Sequence, residues 1–118
     1  MFKFEKLEVW QKAIDFADLV YSKTKSFPSD ERFGLTNKMR RAAVSGSSNV
    51  AEGSARISDA DFARFIEIAT GSLFEIISES TVAKRQAYLS DASFAAIYKA
   101  AEEQGRMLSG LRRTLVGD

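Results

Sequence analysis

Residues 58–88 decide the fold: Ser58-Asp59-Ala60-Asp61-Phe62-Ala63-Arg64-Phe65-Ile66 at one end and Val82-Ala83-Lys84-Arg85-Gln86-Ala87-Tyr88 at the other. Ser58 is suited to accept a hydrogen bond from a backbone N–H three residues on, where Asp61 completes a short capping box, and Ile57 is placed to staple against Phe62. From this start Phe62, Ile66, Ala69, Leu73, Ile76, Ser80, Ala83 and Ala87 recur at alternating spacings of four and three, which places them on one helical face. The spacing predicts a helix over 58–88, about 45 Å long.

The flanking segments follow the same period. Ser90 is an N-cap and Leu89 a staple for Phe94, and the row Phe94, Ile97, Ala101, Gln104, Leu108, Leu111 and Leu115 predicts a helix over 91–115. Upstream, Trp10, Ile14, Ala17, Tyr21 and Thr24 mark a helix over 7–26, which Pro28 cannot continue. Ser29, Asp30 and Glu31 suit the positive end of the next helix, over 33–52, with Leu35, Met39, Ala42, Ala43, Gly46 and Val50 facing inward. Gly53 then reads as a left-handed helix cap. Short connections force neighbouring helices antiparallel. The expected fold is all-α: one domain over residues 1–118, an antiparallel up-down-up-down four-helix bundle with left-handed packing.

The 118 residues are 45% hydrophobic and 28% charged, and 17 basic against 16 acidic residues give a net charge of +1, as in an ordinary globular domain. The absence of cysteine and histidine removes disulfides, thiolate nucleophiles, Ser-His-Asp triads, zinc and haem ligation and the Glu-x-x-His di-iron pattern. Glu67, Glu75 and Glu79 share a helical stripe on which Gly71 opens space, and Glu52 is placed to join them. Carboxylate metal sites in bundles also use histidine, and glycoside hydrolysis needs a cleft that short loops scarcely build. The expectation is a protein that is not an enzyme and holds no metal or cofactor. Residues 1–6 interleave charges with apolar residues, and no apolar run reaches about 18 residues. A cytoplasmic location without a membrane partner is expected.

Two features exceed what a bundle needs. The first helix carries a second apolar stripe, Val9, Ala13, Phe16, Leu19 and Val20, and the third adds Phe65 and Ile68. A broad core-facing arc and a subunit interface both explain it; the interface reading rests on Val9, Phe16, Leu19 and Phe65. The run Ser45-Gly46-Ser47-Ser48-Asn49 places five poor helix formers in the second helix. Close approach to a neighbour explains them best, with a bend or a contact site as alternatives.

Lys38, Arg40, Arg41 and Arg56 form the densest basic cluster, opposed between Thr36 and Arg56 only by Glu52. Such a cluster suits phosphate contact and a nucleic-acid-binding surface. Arg40 and Arg41 are about 100° apart on a helix, so one of them is placed to turn inward. The expected partners are Glu52 and Glu75, in a polar network that fixes helix register. Arg106, Arg112 and Arg113 suit the negative end of the fourth helix. Trp10, Tyr21, Phe62, Phe65 and Phe94 read as core before they read as stacking platforms for bases.

In order along the chain, Leu7-Glu8-Val9-Trp10-Gln11-Lys12-Ala13, Phe27-Pro28, Phe33-Gly34-Leu35-Thr36, Arg40-Arg41-Ala42-Ala43-Val44-Ser45, Asn49-Val50-Ala51-Glu52-Gly53-Ser54 and Ala69-Thr70-Gly71-Ser72-Leu73 resemble one family. It is the four-helix bundle family of 23S rRNA intervening-sequence proteins, also called S23-like, and the resemblance runs from Phe4 to about Leu89. It departs where the family often reads Gln-x-Arg-Arg with Ile-Pro after the serine: here stand Lys38-Met39-Arg40-Arg41 and, after Ser45, Gly46-Ser47. A related member, the accessory variability determinant of diversity-generating retroelements, forms a ring-like homopentamer and binds nucleic acid and its reverse transcriptase through a basic surface. The resemblance implies a four-helix bundle that self-associates, as a pentamer in that relative, and takes structured RNA or a reverse transcriptase as partner. The alternative is an oligomeric protein-interaction scaffold that binds no nucleic acid.

Overall fold

The capping serines set the frame. Ser58 Oγ accepts from the Asp61 N–H at 3.1 Å and Ser90 Oγ from the Ser93 N–H at 3.0 Å, and a long helix follows each. The computed structural model describes residues 1–117; Asp118, included in the expected domain, lies outside the described residues. The helices are α1 (Glu8–Thr24), α2 (Leu35–Ser54), α3 (Asp59–Arg85) and α4 (Asp91–Val116), with 3-10 turns at Lys3–Lys6 and Ser29–Glu31. Each helix packs on the next and α1 also packs on α4, which closes the four into a bundle measuring 43 × 26 × 19 Å. Among the described residues there is no strand, and no helix is long and apolar enough to cross a membrane.

The core rows of α3 and α4 follow the periodicity: Ile66, Ala69, Leu73, Ile76, Ser80 and Ala83 are buried on α3, and Ile97, Ala101, Gln104 and Leu108 on α4. Gln104 donates from Nε2 to the Val9 carbonyl at 3.2 Å, a buried polar contact that ties α4 to α1. On α1 the expected seam is rotated. Val9, Ala13, Phe16, Ala17, Val20 and Thr24 are buried, while Ile14 and Tyr21 lie at the surface. The stripe offered as a subunit interface is thus core, and Val9 and Phe16 cannot form an outer face. The reason is geometric: α1 contacts both α2 and α4, and a helix with two neighbours buries an arc wider than one stripe. Leu19 is half-buried against the same core.

α3 stops at Arg85, three residues before the expected Tyr88, because Ala87 takes a left-handed φ of 64°. The Tyr88 N–H reaches the Ala83 carbonyl at 2.8 Å and the Ala87 N–H the Lys84 carbonyl at 3.0 Å, a Schellman motif with alanine where glycine is usual. Ile57 is fully exposed, so the expected staple to Phe62 does not form. Gly53 does not end α2 either. It lies buried inside the helix, where a Cβ would stand 2.7 Å from Phe65 Cβ and 2.8 Å from Phe62 Cδ1, so its missing side chain admits α3. At Gly46 a Cβ would meet nothing within 4 Å. The small-residue run there has another use: Asn49 Nδ2 and Ser47 Oγ donate back to helix carbonyls of Ser45 and Val44, and Ser45 Oγ meets Ser72 Oγ of α3 at 3.1 Å.

Candidate nucleic-acid interface

The four cations of the basic cluster, three on α2 and Arg56 beyond its end, meet different surroundings. Arg40 turns toward α1: Nε donates to Thr24 Oγ1 at 2.9 Å, Nη2 reaches the Tyr21 carbonyl at 3.4 Å, and the guanidinium lies 4.7 Å from the Tyr21 ring centroid. Tyr21 O lies in the last turn of α1, where it also accepts from Thr24 Oγ1 at 3.2 Å, and a cation there complements the helix dipole. An arginine does turn inward, as the spacing requires, but its partner is a helix end. Among the described residues neither Arg40 nor Arg41 pairs with Glu52 or Glu75, and the ion pairs are Lys12–Glu103, Lys84–Asp91 and Arg112–Glu67. The expected network of Glu52 and Glu75 is absent because Thr24 and the α1 carbonyl supply acceptors closer to the inward-turned arginine. Glu52 and Glu75 are both exposed.

Arg41, one position on, points outward and makes no hydrogen bond or ion pair among the described residues. It stands between two open depressions. One, of about 570 Å³ between α1 and α2, is lined by Tyr21, Asn37, Arg40, Arg41, Ser45 and Ser48. The other, of about 440 Å³ toward α3, includes Phe33, Lys38, Arg41 and Glu75. Arg56 joins neither. It follows the end of α2, about 24 Å along the helix axis from Arg40, and its guanidinium covers the Phe65 ring at 4.6 Å. The basic cluster of the sequence is therefore a triplet, Lys38, Arg40 and Arg41, plus a separate arginine that shelters Phe65.

One turn after Glu75, Glu79 is pushed up to about 7 by burial, by the neighbouring Glu75 carboxylate and by a hydrogen bond with it, while the Lys38 ammonium acts in the opposite direction. Glu79 Oε1 is buried without a partner. The i, i+4 spacing of two glutamates on one stripe is the sequence signal for this pair. Among the described residues no group of three acidic side chains is arranged to hold a metal ion. Glu67, on the same stripe, is taken by Arg112 at 2.7 Å.

A different surface lies across the molecule. Phe74 is 70% exposed and Tyr98 44% exposed, and with Ile77, Ala101, Glu102 and Gly105 they line an apolar groove of about 310 Å³ between α3 and α4. Periodicity reading passes over it because Phe74 and Tyr98 each stand one residue beyond a core position, Leu73 and Ile97.

The profile of a family described as 23S rRNA-intervening sequence protein matches residues 5–110. In structure the chain is similar to a crystal structure of a protein with unknown function from the S23 ribosomal protein family of Bacteroides thetaiotaomicron VPI-5482. The two share 21% identity with a TM-score of 0.81 over 89% of this chain and 95% of that one, a likeness of fold. Among curated proteins none matches the chain in sequence.

Proposed function

The chain belongs to the 23S rRNA-intervening sequence protein family, and from that premise we propose a non-catalytic, self-associating bundle that binds structured RNA through the exposed face of α2. The observation that carries the reading is Arg41: an exposed guanidinium that makes no hydrogen bond or ion pair among the described residues, beside Lys38 and between two open depressions. Each phosphate neutralised by such a side chain releases counterions, so binding falls steeply with salt. With a net charge of +1 the chain as a whole attracts RNA little, and affinity depends on this local patch. Copies arranged in a ring would present the patch repeatedly and add avidity. The same near-neutral charge imposes little repulsion between copies, and the Phe74–Tyr98 groove is the apolar surface that a second copy would cover.

The test is fluorescence anisotropy of a structured RNA with the purified protein at two salt concentrations, beside Arg41→Glu. Binding that weakens tenfold or more with salt, and is lost in a variant that melts like the parent, is the expected result. No binding at low salt overturns the RNA reading. The groove supports a second reading, an interaction scaffold without RNA; sedimentation of Phe74→Glu should show lost assembly under either reading, and the anisotropy of the parent separates the two, because only the first binds RNA.

A further inference from the structure

We propose that the depression between α1 and α2 is a subsite for one unpaired nucleotide, its base stacked on the Tyr21–Arg40 platform and its phosphate held by Arg41. The inference rests on the RNA reading above and specifies which RNA it concerns.

Arg40 is held flat before any ligand arrives. Its Nε and Nη2 are directed in the guanidinium plane to Thr24 Oγ1 and the Tyr21 carbonyl, and the Tyr21 ring lies against it at 4.7 Å. With Nε–H and one Nη2–H committed in this way, three of the five guanidinium N–H groups stay free, but the plane is fixed in orientation and offers a π face. Faces of arginine and of aromatic rings are what unpaired bases stack on. Tyr21 remains 40% exposed, and both side chains line the depression. The complementary function, a free fork for phosphate, is supplied one residue away by Arg41. Asn37 and Ser48 line the same space, and their side chains make no hydrogen bond among the described residues, which leaves an amide and a hydroxyl for base edge or ribose. Base-paired RNA keeps its base faces stacked inside the helix, so such a subsite discriminates loops and bulges from duplex.

The experiment uses two RNAs with 2-aminopurine, one in a hairpin loop and one in a fully paired duplex, titrated at low salt into the parent protein and into Tyr21→Leu, Arg40→Lys and Arg41→Ala. Tyr21→Leu keeps the backbone carbonyl and Thr24, so Arg40 retains its hydrogen bonds and the fold is checked by thermal melting. The expected result is loop fluorescence quenched at least twofold and the loop RNA bound at least tenfold more tightly than duplex. Tyr21→Leu and Arg40→Lys should abolish quenching and preference, while Arg41→Ala weakens both RNAs. Equal binding of loop and duplex, or quenching unchanged in Tyr21→Leu, overturns the subsite while leaving RNA binding intact. Failure of both RNAs to bind overturns the RNA reading and the subsite with it.

Discussion

At Gly53 an added methyl group would strike two phenylalanines of α3, whereas at Gly46, two turns earlier on the same helix, it would meet open space. The two halves of α2 differ accordingly. The C-terminal half, with Val50, Gly53 and Ser54 buried, is closed by backbone approach to Phe62 and Phe65. The N-terminal half keeps Met39, Ala42 and Ala43 in the core and turns Arg40 toward α1, but carries Lys38 and Arg41 along its outer side, beside open depressions. One end anchors the helix by shape. That anchoring leaves the other free to hold charge that its own fold does not neutralise.

The largest effect expected of this contrast is at Gly53. Gly53→Ala forces α2 and α3 apart and should destabilise the fold by about 2–3 kcal/mol in chemical denaturation, since overpacking outweighs the gain in helix propensity. A stability within 0.5 kcal/mol of the parent, a margin typical of surface substitutions, would dissolve the distinction between the two halves. Next comes Arg40→Ala, which strips the end of α1 of a charge-assisted hydrogen bond and a ring contact; a loss of about 1–2 kcal/mol is expected in the same assay.

Glu79 gives a pH signature. Its folded-state value of about 7 lies above the ordinary 4.5, so the folded protein binds a proton that the unfolded chain releases between these values. Stability should decline as pH rises from about 4.5 to 7 and then level off. Glu79→Gln should flatten that decline and gain about 1 kcal/mol at pH 8, a value already reduced for solvent screening at a half-open site; melting curves across the range measure it. Gly46→Ala is the mirror of Gly53→Ala: with nothing in its way the methyl should raise stability by about 0.5–1 kcal/mol through helix propensity alone. Arg41→Ala should move the denaturation midpoint least, by less than about 0.5 kcal/mol, while weakening RNA binding.

Much of this architecture is written in the rows of α3 and α4, where a continuous apolar row follows a capping serine and is the row that is buried. α1 reads less well for a physical reason. Its apolar arc is wider than one stripe, and Val9 and Phe16 compete with Trp10 and Tyr21 for the core until both of its neighbours are placed. Trp10 instead packs edge-on against Phe4 at 4.9 Å, and Tyr21 goes to Arg40. Gly53 is ambiguous in sequence because a glycine near a loop serves as well to end a helix as to admit a neighbour. The candidate site was half legible: that Arg40 and Arg41 must part follows from helical geometry. That Arg40 would choose a threonine sixteen positions upstream over a glutamate depends on how the connection at 25–34 returns the chain.

Arg40 carries a consequence for how occupancy would be sensed. The last turn of α1 and the α1–α2 surface share this one side chain, so they are thermodynamically linked. Whatever rests on the outer face of the guanidinium also holds it against Tyr21 and Thr24, and opening of that turn becomes rarer in proportion. Amide exchange in the connection after Thr24 would then slow on binding, a footprint printed on a segment the ligand never touches.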